Sequence, residues 1–206
     1  MHMEHEEGCC GLRIGQNVPD FELDTFEPAR GKFGKFSFSK NMKAGKWTIL
    51  FFYPADFTFV CPTELADIAG RYGELKKLNC EVLSISTDTH FVHMGWHRDE
   101  KLLENVQYPM GADPTGKVSR LFGVYDESTG LDFRGTFIIS PEGVLVSSEV
   151  NFYNVGRNAD ELLRKLKGFV HVSKHPEEAC PAKWDTGKKT LKPGEDLVGK
   201  VYEALE

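Results

Sequence analysis

No run of apolar residues in this chain approaches the roughly 20 needed for a helical membrane span, which argues against a transmembrane protein. The opening residues Met1-His2-Met3-Glu4-His5-Glu6-Glu7 carry no apolar segment of the secretory type, so the expected location is the cytosol. Basic side chains are outnumbered, 25 Lys and Arg against 31 Asp and Glu, for a net charge of −6. With a pI near 5.7 and no long basic run, a nucleic-acid partner is not expected. Internal repeats are absent. Cysteine is sparse, five in 206 residues, and no two cysteines stand in a Cys-x-x-Cys pair, which argues against a dithiol exchange centre. In a reducing compartment five cysteines form no permanent framework; redox or metal chemistry is the expectation.

The remaining pattern alternates strand and helix. A strand-and-turn region runs from about Phe21 to Phe38, with Gly31 and Gly34 read as bends. Trp47 to Tyr53 is β-branched and aromatic, as a buried strand should be. Leu65, Ile68, Ala69, Tyr72, Leu75 and Leu78 then recur at helical spacing, with Glu64, Asp67, Arg71, Glu74, Lys76 and Lys77 on the opposite face. A second apolar strand, Cys80 to Ser86, precedes a helix from about His90 to Glu104. A short helix near Thr115 to Phe122, strands Phe133 to Ile139 and Val144 to Asn151 around a Ser140–Gly143 turn, and a long helix opened by Asn158 and Asp160 follow. Beyond His175 the pattern dissolves into an extended arm. The alternation predicts an α/β architecture with helices on both faces of a sheet.

Cys61 lies where the strand ending at Tyr53 passes through an irregular loop into a helix, with Pro62 at an early helical position that needs no N–H. There, free backbone N–H groups and the helix dipole favour a thiolate, the nucleophilic form of cysteine.

Pro54, Thr58 and Cys61 reproduce the Pro-x-x-x-Thr-x-x-Cys signature of peroxiredoxins, and the chain from about Ile14 to its end resembles that family. The context Phe59-Val60-Cys61-Pro62-Thr63-Glu64 is similar to the typical two-cysteine branch, and the last third to the bacterial alkyl hydroperoxide reductase type. The resemblance implies a thioredoxin-like α/β fold, a central mixed sheet flanked by helices, with an N-terminal extension (1–13), a peroxiredoxin domain (14–175) and a C-terminal arm (176–206). It implies a thiol peroxidase for hydrogen peroxide and organic hydroperoxides, without metal, haem or flavin of its own. Cys61 would become a sulfenic acid. Thr58 would meet the peroxide oxygens, Pro54 would limit water, Arg134 would favour the thiolate and polarise the peroxide, Glu64 would orient arginine, and Arg157 would be a second arginine in that network. Cys180 resembles the resolving cysteine, which would pair with Cys61 of the partner subunit; spacing by itself leaves intramolecular pairing open. The resemblance further implies a homodimer assembling as a pentamer of dimers, re-reduced by thioredoxin or a flavoprotein disulfide reductase. A redox-regulated holdase chaperone or peroxide-signal relay is the alternative reading. The Gly-Gly-Leu-Gly insertion and terminal Tyr-Phe pair that make relatives prone to over-oxidation are missing.

The other thiols and the histidines read differently. Cys80, opening an apolar strand, is expected to be a core residue. Cys9 and Cys10, with His2 and His5 nearby, lack the paired spacing of a structural zinc site and are expected to be an exposed tail. His93 and His97 stand four apart on a helix but lack the glutamate of the zinc-protease motif, so surface histidines are expected. Phe57, Trp96 and Trp184 are expected to serve packing or interfaces.

Overall fold

Hydrophobic runs that are buried on both faces form the centre of the sheet. In the computed structural model, which describes residues 11–206, strand β3 (Trp47–Phe52) is buried at all six positions, as is β8 (Arg134–Ile139). They pair antiparallel, Leu50 opposite Phe137, while β3 runs parallel to β4 (Cys80–Ser86). Around them stand β1 (Glu22–Glu27), β2 (Lys32–Ser37), β5 (Met110–Ala112) and β9 (Leu145–Asn151). The seven strands lie in the order β2-β1-β5-β4-β3-β8-β9, a mixed sheet. A two-stranded hairpin, β6 (Tyr125–Asp126) with β7 (Leu131–Asp132), stands apart. Helices α1 (Phe38–Lys43), α2 (Cys61–Lys77), α3 (His90–Asp99) and α4 (Lys117–Leu121) flank the sheet. Leu50, Phe52, Leu83, Ile85, Phe122 and Phe137 sit in the core between these layers. This is the thioredoxin-like arrangement.

The chain divides into two compact units, one ending at Asn158 and the other running from Ala159 to Glu206. The second contains α5 (Ala159–Lys174) and the short α6 (Val201–Leu205). Ala159, Leu162, Leu163 and Leu166 are the buried residues along α5. The arm is fastened to that helix. Arg164 pairs with Glu161 through two hydrogen bonds and donates to the Trp184 carbonyl at 3.1 Å. Lys167 meets Asp185 at 3.2 Å, and Ala179 and Leu191 exchange backbone hydrogen bonds. The arm is therefore less featureless than its composition suggests.

Three local expectations change. Gly31 is a bend, with φ 61°, but Gly34 lies inside β2 opposite Thr25. A Cβ there would stand 1.9 Å from Glu27 Oε1, so the glycine admits a folded-over carboxylate. The helix from His90 stops at Asp99, because Glu100 is extended and its carboxylate accepts from the Leu102 N–H at 3.0 Å. His93 is fully buried, not a surface residue, and His97 is half-buried with Nε2 3.2 Å from the Val106 carbonyl. The expectations for Cys9 and Cys10 lie outside the described residues. Cys80 is buried. Among the described residues no helix is long and apolar enough to cross a membrane.

A carboxylate pair ties α4 to the hairpin. Asp113 Oδ2 accepts from the backbone N–H of Ser119 at 2.8 Å, and the Ser119 hydroxyl lies 2.9 Å from Asp113 Oδ2 and 3.0 Å from Asp132 Oδ2. One hydroxyl has one proton, so a protonated Asp132 donating to Ser119 satisfies both contacts. Burial pushes the Asp132 carboxyl up to about 8, with Asp113 and Asp88 adding to it and the Ser119 hydroxyl opposing. A carboxyl raised on folding stays protonated while its unfolded counterpart ionises near its ordinary value. Stability should therefore fall as pH rises from about 4 to about 8. Asp132→Asn should flatten that segment of the thermal-midpoint profile; an unchanged slope from pH 5 to pH 8 would contradict the protonated state.

Candidate active site

The loop after β3 is fixed by polar side chains rather than by regular structure. The Tyr53 hydroxyl donates to Asp56 Oδ1 at 2.7 Å, and His93 Nδ1 lies 2.8 Å from Asp56 Oδ2. His93 Nε2 lies 3.1 Å from the Gly111 carbonyl, so the ring links the loop to β5. The Asp56 N–H donates to Asp88 Oδ2 at 2.8 Å. Burial pushes the Asp56 carboxyl up, and its contact with His93 opposes that shift. Next comes Phe57 with φ 57°, a left-handed conformation that a bulky side chain adopts only where the surroundings impose it. This reversal leads to Thr58, whose hydroxyl donates to the Ala55 carbonyl at 2.8 Å, and then to α2. Pro54 is buried ahead of the reversal.

Cys61 is the first residue of α2 and is fully buried. Arg134, first in β8, reaches it with Nη1 3.4 Å from Sγ. The same Nη1 donates to Glu64 Oε2 at 2.6 Å, and Arg134 Nε donates to the Tyr153 carbonyl at 2.7 Å. Glu64, one turn beyond Cys61, is buried because a second guanidinium meets its other edge. Arg157 donates from Nε to Oε1 at 2.8 Å and from Nη2 to Oε2 at 3.1 Å, a bidentate pair, while its backbone N–H reaches Oε1 at 2.9 Å. Its remaining Nη1 serves the Gly135 carbonyl and Thr136 Oγ1, and its guanidinium lies over the Phe51 ring at 3.3 Å. Gly156 permits this approach, since a Cβ there would already touch Val60 and Glu64. Burial alone would raise the Glu64 carboxyl, but the hydrogen bonds and charge of Arg157, joined by the charge of Arg134, hold it below its ordinary value.

Of the residues singled out from the sequence, Cys61, Glu64, Arg134 and Arg157 converge in one hydrogen-bonded cluster, with Pro54 and Thr58 on the loop entering it. Cys180 belongs to the other unit. It is partly buried beside a cavity of about 530 Å3 lined by Arg164, Phe169, Val172 and Pro181. Burial and then the charge of Glu178 push its thiol up. Sequence reasoning missed the Tyr53–Asp56–His93 brace, the Tyr153 and Gly135 carbonyls and the Phe51 platform. Only Asp56, a buried acid inside the signature loop, had a local signal.

The chain is similar to known proteins. Residues 14–148 fit the AhpC/TSA family. An alkyl hydroperoxide reductase C of Staphylococcus saprophyticus is 46% identical over 188 residues, 91% of this chain and 98% of that protein. This chain belongs to the AhpC/TSA family of peroxiredoxins. The crystal structure of Enterococcus faecalis AhpC superposes with a TM-score of 0.77 at 47% identity, covering 82% of this chain and 98% of that one. The reduced Plasmodium vivax 2-Cys peroxiredoxin gives 0.84 at 28% identity, over 89% and 94%. Peroxiredoxins are thiol-dependent peroxidases, and that is the enzyme class of this chain.

Among the described residues, Glu64 is the carboxylate that both guanidiniums of this peroxiredoxin share. Glu64→Gln should leave two buried cations without their counter-charge, an imbalance that costs about 3–5 kcal/mol when a buried ion pair loses one partner. The thermal midpoint should fall by several degrees, and peroxide consumption should drop on the order of 100-fold. Both are read on the same preparation; an unchanged rate would separate Glu64 from the chemistry.

Proposed function

We propose that the chain reduces hydrogen peroxide and organic hydroperoxides with Cys61 as nucleophile. The observation that carries this reading is the buried charge balance. Arg134 and Arg157 bring two positive charges and Glu64 one negative, all with side chains at most 4% exposed. A thiolate at Cys61, beside Arg134 Nη1 and at the start of α2, makes the cluster neutral. An anionic sulfur is the electrostatic completion of the site.

In the first step the Cys61 thiolate attacks the nearer peroxide oxygen. An S–O bond forms, the O–O bond breaks, and the departing alkoxide or hydroxide leaves as alcohol or water once protonated. Arg134 retains Nη2, which carries none of its contacts among the described residues, for the developing negative charge. Thr58 Oγ1, whose proton is committed to Ala55, can accept a hydrogen bond from the peroxide proton. Pro54 limits water around the sulfur. In the second step Cys180 of the partner subunit attacks the sulfenic sulfur, forming the disulfide and releasing water. Two electrons from a thioredoxin or a flavoprotein disulfide reductase return both thiols. This scheme requires at least a homodimer, and a pentamer of such dimers in the cytoplasm is the assembly that the resemblance implies.

Two experiments test the reading. Arg134→Ala should keep the fold and lower kcat/KM for hydrogen peroxide on the order of 100-fold or more; a wild-type rate would take Arg134 out of the site. Peroxide treatment followed by non-reducing electrophoresis should convert the wild type to covalent dimer. A Cys180→Ser variant that still forms full dimer would refute its role.

A further inference from the structure

The carboxyl end of α5 gathers metal-binding side chains that the peroxidase reading does not use. The helix ends at Lys174, and the turn after it closes with the Glu178 N–H donating to the His175 carbonyl at 3.0 Å. This turn brings one ligand atom from each of His175, Glu177 and Glu178 within 4.8 Å of one another. An imidazole nitrogen and two carboxylate oxygens around one ion, each at about 2.0–2.2 Å, would lie roughly 3.4 Å apart, so modest rotation of exposed side chains closes the set. His175 and Glu177 are exposed and Glu178 is half-buried, so an ion can reach them.

The surroundings orient the third ligand. His171, one turn earlier, has Nε2 2.7 Å from Glu178 Oε2, and the Thr190 hydroxyl donates to the same oxygen at 2.7 Å. His171 packs its ring 4.9 Å from Trp184 and 4.6 Å from His175. Glu178 thus has one oxygen held by helix and arm, and Oε1 free of those contacts. Carboxylates that ligate metals are commonly held by such outer hydrogen bonds. One imidazole with two carboxylates suits a borderline ion such as Zn²⁺, whereas Ca²⁺ takes a cage of oxygens.

We infer that His175, Glu177 and Glu178 form a divalent-cation site, of the Zn²⁺ class, that fastens the end of α5 to the segment carrying Cys180. Glu178 is two residues before Cys180, so an ion bridging it to His175, the first residue after α5, pins the turn from which the arm departs. What the fastening would mean for Cys180 rests on the resolving role proposed for it; the site itself does not.

The test reads binding and cleavage, neither of which depends on that role. Reduced full-length protein is titrated with Co²⁺ as a spectroscopic stand-in for Zn²⁺, alongside the variants His175→Asn, Glu177→Gln and the double variant Cys9→Ser/Cys10→Ser. One Co²⁺ per chain should bind the wild type and the double-serine variant, without a thiolate-to-cobalt charge-transfer band. Affinity should fall at least tenfold in each of the other two variants. Zn²⁺ should slow tryptic cleavage after Lys183 several-fold in the wild type and not in His175→Asn or Glu177→Gln. Binding that is unchanged in both variants, or that shows the thiolate band and disappears with Cys9 and Cys10, overturns the site. Binding without protection from trypsin overturns the fastening. The two ligand variants are surface substitutions, and matching thermal midpoints without metal would show that both are folded.

Discussion

A single carboxylate clamped between two guanidiniums organises everything near Cys61. Glu64 arises from α2, Arg134 from the start of β8 and Arg157 from the segment after β9, so their ion pairs join elements 70 and 93 residues apart in sequence. Taking three such charges out of water is expensive, and well-packed apolar residues would often be at least as stable. The arrangement makes sense as preorganisation. Arg134 is held by Glu64 and the Tyr153 carbonyl, so under the proposed function its charge would need no reorientation during reaction. Arg157, with its donors spent on Glu64, Gly135 and Thr136, supports Glu64 and adds its charge without needing to touch substrate.

The loop from Tyr53 to Val60 faces a related problem, because irregular backbone must hold a sulfur in place without a ladder of hydrogen bonds. Its solution is the buried Asp56, which gathers Tyr53 and His93 around one carboxylate while its own N–H goes to Asp88. With that side fixed, the left-handed turn at Phe57 is imposed by its surroundings, and the chain enters α2 with Cys61 at its first position. The site is thus built by two polar nodes, Asp56 before Cys61 and Glu64 after it, each anchored to a different strand region.

How far these features could be read in advance depends on the range of the interaction behind each. The helix start at Cys61-Pro62 and the apolar runs of β3, β4 and β8 are local, and periodicity locates them. The convergence of Glu64, Arg134 and Arg157 leaves no local trace. Periodicity assigns Glu64 to the polar face of α2, and only the resemblance pointed to its partners. His93 misled for the same reason, since the acid that accounts for its burial lies 37 residues away. The break at Glu100 has neither proline nor glycine to mark it; a side-chain hydrogen bond makes it. Gly34 shows the opposite error, a glycine read as a bend whose use is to admit the Glu27 carboxylate. Strand β5, three residues with a central glycine, is too short for any periodicity to register.

The three described cysteines show how surroundings divide labour among identical side chains. Cys80 lies in an apolar strand where burial, and then the charge of Glu81, push its thiol far up, so it stays a neutral core residue. Cys180 sits partly exposed in an arm held by polar contacts. Its thiol is raised by burial and then by the charge of Glu178, which favours the neutral form. That is tolerable for a group whose proposed partner, a sulfenic acid, is brought to it at high effective concentration. Cys61 alone has a guanidinium at hydrogen-bonding distance and a helix start beneath it. Among the described cysteines, the most deeply buried is thus the one with a guanidinium beside it, which under the proposed function marks it as the nucleophile.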